Sequence, residues 1–130
     1  MDEKDKELLR LAAKAFGVKV VFGPDGVPRE TTDTDPAMNL FAMPIWNPLL
    51  DSGQALVLAA RLYMEISFHL AYPRSNCPPE NRQIEAQANL ETKGGKFWAG
   101  ALVRDDEAAA MRRAIVTAAA QSEKAQTLGE

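Results

Sequence analysis

Two segments with strict two-residue alternation restrict the fold more than any other feature. Met64, Ile66, Phe68 and Leu70 are apolar, and Glu65, Ser67 and His69 between them are polar. Ile84, Ala86, Ala88 and Leu90 alternate in the same way with Glu85, Gln87, Asn89 and Glu91. Successive strand side chains point to opposite faces, so each segment predicts a half-buried strand in a sheet with one wet face. Lys93-Gly94-Gly95-Lys96 follows as a hairpin signal. The stretch 97–103 then predicts a third, returning strand, with Trp98 on the core side.

Elsewhere the period is three to four. Leu8, Leu11, Ala12, Ala15 and Phe16 form one stripe and predict a helix over 5–16, closed by Gly17. The β-branched stretch 18–22 predicts a short strand. Asp51 is the expected N-cap of a second helix, with Gln54 as capping-box partner and a buried stripe of Ala55, Leu56, Ala59, Leu62 and Tyr63. Asp105-Asp106-Glu107 place negative charge at the start of a last helix. In it Met111, Ala114, Ile115, Ala118 and Ala119 line one face to about residue 122, and 123–130 reads as a frayed tail. This order predicts an α+β fold, a small antiparallel sheet of about three strands with helices packed on one face, in a single domain spanning 1–130. Segment 23–44, with Gly23-Pro24-Asp25-Gly26, Pro28 and Pro36, reads as a flexible loop, the alternative being a hidden short hairpin.

Composition excludes more than it identifies. The 130 residues carry a net charge of −3, which argues against a general nucleic-acid binder. One histidine, His69, and one cysteine, Cys77, supply neither a usual zinc site nor a disulfide framework. The charged N-terminus has no signal-peptide pattern, and no apolar run reaches the ~20 residues that span a bilayer, so the expected location is the cytoplasm. No P-loop, dinucleotide fingerprint, zincin motif or nucleophile elbow occurs. No cofactor is expected, and the chain reads as a non-enzyme.

The candidate binding residues are Trp46, Asn47, Asp51, Arg112 and Arg113. Trp46 is an aromatic platform for a base or a partner side chain, or else a core plug. Asn47 and Asp51 present polar groups at a helix N-terminus, or else form a turn and a cap. Arg112 and Arg113 stand about 100° apart on a helix and could hold a small anionic ligand, or else serve as a solvated flank. His69 lacks an evident nucleophile and reads as a surface residue, and Cys77 as a non-reactive loop thiol. The polar strand face is either plain wet surface or a recognition surface.

The segment Trp46-Asn47-Pro48-Leu49, Asp51-Ser52-Gly53-Gln54-Ala55-Leu56, and the late Met111-Arg112-Arg113-Ala114-Ile115-Val116 with Ala118-Ala119-Ala120 resemble small uncharacterised proteins of tailed bacteriophages and prophages. More remotely the chain resembles the NinX type of phage early-region protein. Residues 7–15 fit the same pattern, and Gln54 departs from it, standing where an acidic residue is expected. The resemblance implies a phage product acting in the bacterial host cytoplasm and supplies no chemistry. The expected function is a non-enzymatic accessory protein that binds a host or phage protein, for instance to counter host defence. The alternative is a small-molecule or nucleotide-sequestering protein. A homo-oligomer formed through the alanine-rich last helix is compatible with either.

Overall fold

The computed structural model describes residues 2–31, 43–70 and 84–128. In chain order the elements are α1 (Glu3–Phe16), β1 (Lys19–Phe22), β2 (Pro28–Thr31), α2 (Ser52–Arg61), β3 (Glu65–Leu70), β4 (Ile84–Thr92), β5 (Gly95–Leu102) and α3 (Glu107–Leu128). The fold is α+β, with a three-stranded antiparallel sheet ordered β3-β4-β5 and a separate β1-β2 hairpin.

Alanine determines how the layers meet. Ala86 and Ala88 of β4 and Ala99 of β5 are buried against α3, whose Ala110, Ala114, Ala118 and Ala119 are buried too. Small side chains on both surfaces bring helix and sheet close together. The helix is covered on more than the single expected face, since Val116, Ala120, Ser122 and Glu123 are also buried. One side meets the sheet, and others meet α1 and α2. A helix apolar over most of its circumference belongs inside a fold. The alanine face that suggested a two-fold interface is therefore spent within the chain. The helix also runs to Leu128, beyond the expected end of its stripe near 122, and Lys14 of α1 reaches Glu123 at 3.4 Å. Asp106 caps its start by accepting from the Ala109 N–H.

Several expected orientations are corrected. Trp98 faces outward, not into the core. The β4-β5 turn closes between Thr92 and Gly95, which sets Phe97 opposite Leu90 and Trp98 opposite Asn89. A one-residue shift in register exchanges the two faces of a strand. The inward residues of β5 are thus Phe97, Ala99 and Ala101, and the alanines leave room for α3. Phe68 does lie on the inner side of β3, but α3 lies across β4 and β5, and Phe68 at the sheet edge stays nearly half exposed. On α2 the buried stripe is Ala55, Leu58 and Ala59, while Leu56 is half exposed and Tyr63 fully so. Helix α1 starts two residues earlier than expected because Asp2 caps it, accepting from the Lys4 N–H at 3.0 Å.

Of the two readings of segment 23–44, the hairpin is present: residues 23–27 turn and β2 pairs back on β1. Residues 32–42 and the connection 71–83, with Cys77 and Gln83, lie outside the described residues. Asp25 organises the turn. It accepts from the Val27 N–H and takes both Arg29 Nη atoms, at 3.2 and 3.1 Å. Residues 44–46 extend this unit, with the Glu30 N–H donating to the Pro44 carbonyl and the Trp46 N–H to that of Pro28. Arg10 of α1 sits over the Phe22 ring at 5.0 Å and holds the hairpin to the helix.

Arg29 first, and then the Val27 N–H, hold the Asp25 carboxyl below the usual carboxylate range. A carboxylate depressed on folding stabilises above its unfolded value of about 3.9, and that contribution is lost as pH falls through the folded value. Asp25→Asn should therefore melt below wild type at neutral pH. The gap should close as the pH falls below about 4 in matched thermal melts.

Candidate functional site

The fold gives each of the residues singled out by sequence structural work. Pro48 keeps Asn47 out of the helical region, and the chain turns there. The Asn47 carbonyl accepts from the N–H groups of Leu50 and Asp51, and its Oδ1 accepts from the Leu49 N–H. Asp51 caps α2 by accepting from the Gln54 N–H at 3.0 Å. Gln54 does not close the expected capping box, since the Asp51 N–H is already taken by the Asn47 carbonyl. Its side chain reaches further back, where Oε1 accepts from the Asn47 N–H at 2.6 Å and Nε2 donates to the Ile45 carbonyl at 2.8 Å. One amide thus ties both ends of the turn, which a carboxylate, having no donor, cannot do.

Trp46 is 5% exposed and stacks at a tilt on Phe16, with ring centroids 5.9 Å apart. It is the core plug of the two readings. Arg112 donates through Nε to the Leu49 carbonyl and through Nη1 to Ser52 Oγ, both at 2.9 Å, and so binds the turn to α3. Arg113, one residue on, points to a different neighbour and pairs with Asp5 of α1 at 2.8 Å. A cavity of about 840 Å³ lies beside the turn and includes Asn47, Asp51 and Gln54 in its lining. Asn47 Oδ1, Asp51 Oδ1 and both ends of the Gln54 amide are engaged in holding the turn.

The outer face of the β3-β4-β5 sheet is organised differently. Its cross-strand rows are Glu65-Asn89-Trp98, Ser67-Gln87-Gly100 and His69-Glu85-Leu102, with Glu91 paired to Lys96 at the hairpin end. At Gly100 a Cβ would lie 2.5 Å from the Glu85 carboxyl carbon, so a larger residue there would push the Glu85 side chain aside. Glu85 accepts from Gln87 Nε2 at 2.7 Å. Ser67 Oγ and His69 Nε2 are also 2.7 Å apart, the nucleophile–base contact that the sequence did not announce. Activation of a serine needs the base oriented by a third group, and the hydrogen bond of the neighbouring carboxylate, Glu85, goes to Gln87. Among the described residues no group of three or more His, Cys, Asp or Glu could hold a metal ion.

At one end of this face a groove of about 430 Å³ is lined by Tyr63, Glu65, Asn89, Glu91, Lys96 and Trp98. Trp98 is 59% exposed and Tyr63 91%. The backbone of Tyr63 is the more informative. Helix α2 ends as α1 does, in a Schellman motif. In α1 the Val18 and Gly17 N–H groups return to the carbonyls of Ala13 and Lys14; in α2 those of Met64 and Tyr63 return to Ala59 and Ala60. The position after the cap needs positive φ. Gly17 meets that need at 98°, whereas Tyr63 adopts 55°. Both aromatics were assigned to the core by sequence. Closing the hairpin on the two residues Lys93-Gly94 would have turned Trp98 outward. For Tyr63 the only local signal is the lack of glycine where α2 stops.

No protein-family model matches the chain, and no curated protein and no solved structure matches it. No helix among the described residues is long and apolar enough to cross a membrane.

Gln54→Glu should lower stability by about 0.5–1.5 kcal/mol in denaturant unfolding, because it removes the donor to the exposed Ile45 carbonyl and leaves that carbonyl facing a carboxylate oxygen.

Proposed function

We propose that this chain is a non-enzymatic protein-binding module whose contact surface is the open face of the three-stranded sheet. In this reading it is a tailed-phage accessory factor that acts on a host or phage protein in the bacterial cytoplasm, for instance to counter host defence. The phage assignment is supported by the resemblance carried by residues 46–56 and 111–120. The binding assignment is carried by one observation, the exposed Tyr63 at positive φ sharing a groove with the exposed Trp98.

That observation has an energetic meaning. A non-glycine residue in the left-handed region costs roughly 1–2 kcal/mol, and a 91% exposed ring returns little burial in exchange. Local strain at a surface aromatic is the pattern of a residue kept for contact rather than for folding. Aromatics are also the side chains most enriched at the centres of protein interfaces. The sequestering alternative drew on Trp46 beside Arg112 and Arg113. Trp46 is buried on Phe16, and both arginines are engaged by the fold, so this alternative carries less weight.

Tyr63→Gly should leave the chain as stable as wild type or up to about 1 kcal/mol more so. Trp98→Ala should shift stability by no more than about 0.5 kcal/mol. Both variants should lose proteins that the wild type retains from a lysate of phage-infected bacteria, read by quantitative mass spectrometry. Identical retention by wild type and both variants would remove the sheet face from the account.

A further inference from the structure

We infer that the groove between Tyr63 and Trp98 takes an arginine side chain carried on an extended basic segment of the partner protein. This rests on the reading of the sheet face as the contact surface and adds the chemistry of what is contacted.

Charge favours a cation. Glu65 and Glu91 line the groove and Glu85 stands further along the same face, while among the described lining residues Lys96 is the one cation. Among the described residues neither Glu65 nor Glu91 has an ion-pair partner. A phosphate or an acidic peptide would meet repulsion here, and a single-stranded nucleic acid would find aromatic rings without the cationic track its backbone needs. An apolar partner would strip water from two carboxylates and offer them nothing.

Shape and ring chemistry select the guanidinium among cations. A cation placed over an aromatic face is attracted by the ring quadrupole, most strongly for tryptophan. A guanidinium is flat, so it can stack on a ring and still direct N–H groups sideways to carboxylates. Tyr63 and Trp98 supply exposed rings, and Glu65 lies in the same cross-strand row as Asn89 and Trp98. The side-chain carbonyl of Asn89 is a further acceptor within the lining. A groove of about 430 Å³ holds a planar cation together with the stem that carries it. An ammonium offers neither the plane nor the fork, so arginine should be preferred to lysine.

The test uses the whole chain, labelled with nitrogen-15, and titrates a Gly-Arg-Gly-Arg-Gly peptide against its twin with citrulline at both arginines. Citrulline keeps the shape and loses the charge. The arginine peptide should move the Trp98 indole N–H and the Asn89 amide saturably and leave the Trp46 indole in place. The citrulline twin should give no saturable shift. The double variant Glu65→Gln with Glu91→Gln should bind the arginine peptide about tenfold more weakly while keeping the wild-type spectrum elsewhere. Equal binding of the two peptides, an unmoved Trp98, or a Trp98 moved by an oligothymidylate and not by the arginine peptide would each overturn the inference. If the lysate partners still depend on Trp98 while the peptide is ignored, only the arginine chemistry falls. If Tyr63→Gly and Trp98→Ala retain every partner, the surface itself falls.

Discussion

The close contact between alanines of α3 and alanines of β4 and β5 is the constraint on which the rest of this structure depends. Ala86, Ala88 and Ala99 give the sheet a shallow inner surface, and Ala110, Ala114, Ala118 and Ala119 give the helix a thin one. With so little side-chain volume between them, a bulky residue pointing inward near Ala99 would force the layers apart, at a typical overpacking cost of about 1–3 kcal/mol. The two-residue hairpin turn gives β5 the register that suits this packing, with Ala99 and Ala101 inward beside Phe97 and Trp98 outward. The exposure of Trp98 follows from that register.

Secondary ties fix the other elements to this centre. Arg112 leaves α3 to hold the carbonyl of Leu49 and the hydroxyl of Ser52, which positions the start of α2. Gln54 and Asp51 then set the turn into that helix, and the path of α2 decides where it stops. It stops at Arg61, which puts Tyr63 two residues before β3 and beside the outer face of the sheet. The aromatic pair is thus assembled from two routes, the end of α2 and the register of β5. The residues that first look like a binding set, Trp46, Asn47, Asp51, Arg112 and Arg113, are the framework that delivers it.

Much of this was legible in the sequence, and the failures have a common cause. Alternation identified β3 and β4, the glycine pair marked the hairpin, and periodicity found all three helices. What misled was treating every large apolar residue as core. Leu56, Phe68, Tyr63 and Trp98 all carry that signal and are exposed to a large degree. In a fold whose core is filled by alanine, size is a poor guide to burial, and position is decided by what the opposing layer can accommodate. The turn chemistry failed for a different reason. Gln54 satisfies the capping-box pattern, but the Asn47 carbonyl had already claimed the donor it would have served, a competition visible only once the turn is built.

Trp98 stands exposed on the outer face of the sheet, where none of the described residues covers it. Tryptophan fluorescence measures this directly, taken as the emission lost between wild type and Trp98→Phe and its quenching by acrylamide. The expected result is a red-shifted, readily quenched component from Trp98 above a blue-shifted, protected background from the buried Trp46. A blue-shifted and protected Trp98 component would mean that the ring faces the core, and the groove with Tyr63 would not exist.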